Sequence, residues 1–362
     1  MTAPDTQGSH GLHGSYPASD VTFLLRLTDM APTPVEEKER LIQSGQRHYS
    51  EMISTESAPS AEHQQLFEQA LADGLPRLAT EVQALALALK QRRPNRPIVL
   101  VSFVRAGVPL GVLLVRALRD LGVESTHYGI SIIRDKGIDQ AAVDWIEQRH
   151  AFADIVWVDG WVGKGAIHTQ LQASLGARYP DTEIPFAVLA DPTGKAWLSA
   201  SGDDWLIPFG ILGATVSGLV SRSILTQDGG WHACVSYQHL AEHDVSNYLI
   251  NVVDSYRRDL PATAAAVWLT EQRESLQALS LASIQRLVDT YQINNLNRLK
   301  PGIAEATRAV MRRVPEHILV QRLDDPNISL LRHLAESRGI SLQAVGAKLD
   351  PYRAITIIKK TS

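Results

Sequence analysis

The middle of the chain alternates fully apolar runs with segments of helical spacing, and that alternation leaves few folds open. Pro97–Phe103 (PIVLVSF), His127–Ile133, Asp154–Val158 (DIVWV) and Pro185–Ala190 (PFAVLA) read as strands buried on both faces. Val108–Leu121, Ile138–His150 and Gly165–Leu175 read as the helices between them. Parallel strands need crossovers of this kind, so the expected class is α/β with a parallel, Rossmann-like sheet. In such sheets ligands gather beyond the carboxyl ends of the strands. The loops after Phe103, Ile133, Val158 and Ala190 are therefore the places to look.

Around this block the chain divides. Residues 1–13 are polar and carry His10 and His13 without apolar periodicity, which reads as a flexible leader. From Gly14 the text GSYPASDVTFLLRL suggests a helix capped by Ser19 or Asp20, with Phe23, Leu24 and Leu25 turned inward. Ala61–Lys90 has helical spacing interrupted at Gly74 and Pro76, which predicts two packed helices. A long helical stretch runs from about Val245 to Thr290, followed by a terminal module of helix, strand, helix and two strands. The reading is a domain over 14–253, a helical linker over 254–298 and a small α/β domain over 299–362. Charge follows the same division, since residues 291–362 hold 12 Lys+Arg against 6 Asp+Glu within a chain of net charge -4. A basic module of this kind suits a phosphate backbone, and equally a solvated surface. With 362 residues, 44% hydrophobic, the chain has ample material for real cores. Its single cysteine excludes an internal disulfide and a Cys-rich zinc site, as is usual in a reducing cytoplasm. There is neither an export signal nor a run of about eighteen apolar residues, so the expectation is a cytoplasmic protein without a membrane partner.

Two loops carry the chemistry. Val158–Ala166 (VDGWVGKGA) is a glycine-rich turn between an apolar strand and a helix, able to approach an anion closely while the helix start offers amides and Lys164 a charge. A nucleotide P-loop would require G-x-x-x-x-G-K-[ST], which this text lacks. Ser102–Gly111 (SFVRAGVPLG) sets Arg105 before another helix, where its planar fork suits a phosphate. Taken singly, either loop is also what a tight strand-to-helix turn or a bracing arginine would look like.

With these two loops the chain resembles phosphoribosyltransferases of the type I fold, specifically the bacterial stress-operon, tellurium-resistance-associated branch labelled StiP, which joins such a domain to a Pelota-type RNA-binding domain. GSYPASDVTFLL, the HYSEM of His48–Met52 and the IPFGILGATVSGLVSR of Ile207–Arg222 carry the same resemblance. It implies transfer of ribose 5-phosphate from phosphoribosyl pyrophosphate, with Mg²⁺ arriving on the pyrophosphate, to an unidentified acceptor. Asp159 would bind a ribose hydroxyl, and Gly160, Trp161, Val162, Gly163, Lys164, Gly165 and Ala166 the 5'-phosphate. Arg105, Ala106 and Gly107 would hold pyrophosphate, and Arg134 and Lys136 would lie on a closing loop. The usual second acid is Gly160 here, leaving Asp191 as a possible substitute, and Ser217, Ser221 and Arg222 fall where the acceptor would sit.

Members of that branch are also labelled cysteine proteases, which makes Cys234, with His232 on the same strand face, the alternative nucleophile and base, and His239 or His243 alternative bases. The terminal module resembles the Pelota-type domain through LKPGIAEATR and PYRA; the resemblance implies RNA contacts by Arg308, Arg312 and Arg353, with Lys359 and Lys360 beside them, and stacking by Tyr352. Stress-operon proteins are the further partners it implies, and an RNA-binding adaptor without turnover is the non-enzymatic alternative.

Overall fold

The structure is a computed structural model and describes residues 11–226 and 228–360. The part of the expected leader over residues 1–10, with His10, and the side chain of Arg312, expected to contact RNA, lie outside the described residues.

The chain opens with β1 (Thr22–Phe23), β2 (Arg26–Leu27), α1 (Val35–Gln43) and α2 (Ala61–Arg92). The doubly buried runs follow as β3 (Ile98–Phe103), α3 (Gly107–Asp120), β4 (Ser125–Ile130), the hairpin β5 (Ile132–Ile133) and β6 (Gly137–Ile138), and α4 (Gln140–Glu147). Then come β7 (Ile155–Trp161), α5 (Ala166–Leu175), β8 (Phe186–Ala190), β9 (Leu198–Ser201), β10 (Ala233–Cys234), α6 (Ser246–Arg258) and α7 (Thr270–Thr290). Six strands form one parallel sheet in the order β1-β4-β3-β7-β8-β9. Along β3 the side chains alternate between two cores: Ile98 and Leu100 face α2, α3 and α6, while Val99, Val101 and Phe103 face α4 and α5. Helices thus cover both faces, and the α/β expectation holds.

Two local expectations change. The helix after Ser19 is instead the short strand β1, whose Phe23 ring occupies the space beside Gly129, where an added Cβ would come within 2.4 Å. Residues 11–13 join this edge, since Leu12 O accepts the Phe23 amide at 2.7 Å. Pro76 does not divide α2, which runs unbroken through it. Phe67 and Leu71 before the proline and Leu78 and Val82 after it are buried in one core, which offsets the lost backbone hydrogen bond.

The C-terminal module is a separate small α/β sheet. It comprises β11 (Leu299–Pro301), α8 (Ile303–Arg312), β12 (Pro315–Val320), α9 (Ser329–Glu336), β13 (Leu342–Ala344) and β14 (Ala354–Ile358), with sheet order β11-β14-β12-β13. α8 and α9 cover one face, and Leu287 of α7 helps close the other. Among the described residues no helix is long and apolar enough to cross a membrane.

Candidate active site and the covered cleft

The two loops singled out in the sequence do meet beyond the ends of β3 and β7, but they meet backbone to backbone. An added Cβ on Gly107 would lie 2.4 Å from Val158 O, and one on Gly160 would lie 2.9 Å from both Ala106 O and the Phe209 ring. Arg105, whose peptide bond to Val104 is cis, gives Nη1 to Glu56 Oε2 at 2.7 Å, and Glu56 also accepts the Ala214 amide. The guanidinium expected to hold pyrophosphate is therefore committed to a carboxylate. Asp159 turns Oδ1 back onto the Gly160 amide at 2.8 Å. Burial pushes its pKa up to about 7, against the lowering pull of that amide and of Arg308.

The C-terminal domain covers what remains. An added Cβ on Gly163 would stand 2.7 Å from Glu305 Cγ and 3.2 Å from Pro301 O, so β11 and α8 lie directly on the glycine turn. The Arg308 guanidinium sits over the Trp161 ring at 4.8 Å. Lys164 donates to Leu296 O at 2.7 Å. Asp204 accepts the amides of Ile303 and Arg353, each at 2.9 Å, and so caps the start of α8 from the other domain. Arg353 pairs through its guanidinium with Asp203 at 2.9 Å and Asp325 at 2.8 Å. Tyr352 is buried, its hydroxyl 3.3 Å from Gly163 O.

Several expectations are corrected here. Arg308, Tyr352 and Arg353 are taken up by contacts between the domains, so they do not present the RNA surface assigned to them. Asp191 is a turn former: Oδ1 accepts from the Thr193 amide and Oδ2 from that of Ala196. Val162 continues the sheet by donating to Ala190 O, Gly165 enters α5 with φ 83°, and Ala166 begins that helix. Arg134 and Lys136 lie on the β5–β6 hairpin, with the Arg134 amide on the Tyr49 hydroxyl at 2.9 Å. Ser217 and Ser221 bond to local backbone, and Arg222 to the carbonyl of Tyr49. Glu56, Asp203, Asp204 and Glu305 were not found from the sequence, because isolated acids in polar text carry no pattern.

Cys234 lies on β10, which pairs in parallel with β2. Its side chain is fully buried, and that burial pushes the thiol up to about 12. His232, two positions earlier, places Nδ1 2.6 Å from Ser131 Oγ, and its backbone amide donates to Asp139 Oδ2 at 2.5 Å. His239 and His243 are bonded elsewhere, to Glu56 O at 2.9 Å and to Gln64 at 3.0 Å.

The sequence model described as "Tellurite-like stress resistance cysteine protease StiP" matches residues 14–254. The chain belongs to the StiP family. A second model, the Pelota RNA-binding domain, matches residues 278–360. The cysteine protease StiP of Acinetobacter baylyi is 53% identical over 364 residues, covering 97% of this chain and 95% of that protein. Among solved structures, hypoxanthine phosphoribosyltransferase of Trypanosoma cruzi aligns with 48% of this chain and 87% of its own at 15% identity and a TM-score of 0.29. A glycine decarboxylase aligns with 94% of this chain and 81% of its own at 13% identity and a TM-score of 0.23. At such scores neither likeness bears on fold or chemistry. Phosphoribosyl transfer is thus overturned as the activity: the family and its near relative carry a cysteine protease name. The two loops pack backbone to backbone at Gly107 and Gly160, and β11 and α8 lie on the glycine turn at Gly163. Magnesium was expected only with that donor's pyrophosphate.

Proposed function

We propose that this chain is a cysteine peptidase of the StiP type, with Cys234 as nucleophile and an RNA-binding C-terminal domain joined through residues 254–298. The observation that carries the reading is that the chain has one cysteine, so any thiol nucleophile is Cys234. The name borne by the family and by the Acinetobacter relative supports it. His232 lies two residues before Cys234 with Nδ1 turned to Ser131, and in the uncovered state its Nε2 would take the thiol proton. Burial holds the His232 pKa below its ordinary value, against the raising pull of Asp139, whose carboxylate also accepts the His232 amide, and so keeps the ring in the neutral form that a base needs. The buried thiol means that the described conformation is a resting one, and that catalysis requires β10 to be uncovered.

The same burial favours a second reading, an RNA-binding adaptor without turnover. Hydrolysis of an unfolded protein substrate by the wild type, Cys234→Ser and Cys234→Ala separates the two, with thermal melting to confirm that each variant folds. The peptidase reading expects both variants to fall to background. Full activity in folded Cys234→Ser refutes it, and an inactive wild type that binds RNA favours the adaptor.

A further inference from the structure

The carboxyl edge of the large sheet carries a row of cations, of which Lys164 also reaches across the domain junction. Arg134 lies on the hairpin beyond β4, Lys164 on the turn after β7, and Lys195 on the turn after β8. The C-terminal domain brings Lys300, on β11, and Arg313, just past α8, to the same edge. They share one electrostatic neighbourhood. Burial, then the charges of Arg134, Lys164 and Arg313, bring the Lys300 pKa down to about 8 against the opposing pull of Glu305. Burial and the charges of Arg134 and Lys195 act in the same direction on Lys164. The ammonium groups of Lys164 and Lys195 reach backbone oxygens, Leu296 O at 2.7 Å and Lys164 O at 3.3 Å. The buried Nε of Arg134 has no hydrogen-bond partner. All these side chains retain solvent access, and Arg313 is exposed.

Like charges gathered in this way repel one another; Glu305 opposes that repulsion at Lys164 and Lys300, and an added polyanion would oppose it along the whole row. A row of cations, as opposed to a single pocket, matches the row of charges on a phosphodiester chain. The Pelota match spans Lys300 and Arg313, which favours RNA over other polyanions.

We propose that Arg134, Lys164, Lys195, Lys300 and Arg313 form one RNA track that crosses from the C-terminal domain onto the sheet edge of the N-terminal domain. RNA would then be gripped by both domains, and the track replaces the Arg308, Tyr352 and Arg353 surface that the domain contacts consume. It rests on the RNA half of the reading above.

The test is fluorescence anisotropy of the full chain with fluorescein-labelled polyuridine over a range of salt concentrations. Three double or single variants are compared: Lys164→Gln with Lys195→Gln, Lys300→Gln with Arg313→Gln, and Lys90→Gln as a remote control near the start of β3. Circular dichroism melting checks that each folds. Each lost phosphate contact lowers the slope of log K against log salt by about 0.7, so either pair should lower it by about 1.4 while the control keeps the wild-type slope. A wild-type slope in the Lys164/Lys195 pair, with a reduced slope in the Lys300/Arg313 pair, overturns the track and leaves RNA binding in place. No binding by the wild type overturns both.

Discussion

The accessibility of Cys234 is the sharpest quantity the structure fixes, because only the thiolate attacks and burial suppresses it. The thiol is pushed from 9.0 to about 12 by burial. Each pKa unit is a factor of ten in ionisation, so at neutral pH the folded chain holds about a thousandfold less thiolate than the unfolded one. Side-chain burial slows the reagent further, since iodoacetamide must wait for β10 to open. Alkylation followed by intact mass reports this site alone, as the chain has one cysteine. The expected result at pH 7.5 is native labelling at least about a thousandfold slower than labelling in guanidinium. Native labelling within about tenfold of the denatured rate would refute the reasoning, because it would mean a thiol ionised and reachable in the folded chain. The same assay repeated with an unfolded protein substrate present reads out the uncovering that catalysis demands.

Asp204 gives a pH test and Gly107 a packing test. Burial raises Asp204 from 3.8 to about 7, so between those values the unfolded chain releases a proton that the folded chain keeps. Its contribution to stability is therefore present at low pH and declines as pH rises through that window. In urea titrations Asp204→Asn should remove this decline while keeping an oxygen for the Ile303 amide, and an unchanged pH profile would count against the assignment. Gly107→Ala sets a Cβ 2.4 Å from Val158 O and 3.1 Å from Asp159 Cα, against backbone that cannot rotate away. The expected loss in unfolding free energy is at least about 1–3 kcal/mol, and a neutral result would mean that the two loops are not packed together.

The sheet was legible because its central strands are apolar on both faces, as Val99 and Leu100 show by entering opposite cores. β9, with the text LSAS, was missed because an edge strand that is half polar reads as loop. The break read at Gly74 failed for a tertiary reason: that glycine lies against Pro208 and Trp205, a packing demand that a propensity scale does not contain. At the site, Arg105 and Asp159 were found where the strands end, but their partners were not. Arg353 meets Asp203 across 150 residues of chain, and nothing local to either residue announces the other. Arginines facing solvent, RNA or a neighbouring domain have the same sequence appearance, so the excess charge of the C-terminal module could not assign Arg308 or Arg353.

The glycine turn shows how a sequence suited to a sugar phosphate also suits a docked domain. A phosphate cradle needs residues without Cβ atoms, a helix start and a nearby cation, and Gly160–Ala166 with Lys164 supplies all three. A tightly docked domain needs the first of these just as strictly, since Gly163 leaves space for Pro301 O and the stem of Glu305. What separates the two is the chemistry of the approaching group. An anion site would be left open to solvent and neutralised by ligand, whereas here a carboxylate from Glu305 and a guanidinium from Arg308 arrive together from α8 and supply both signs of charge. Asp204 caps that same helix, so the closed cleft and the docked domain are one construction. Arg134 and Lys195 then extend the positive charge of Lys164 and Lys300 from that contact along the sheet edge.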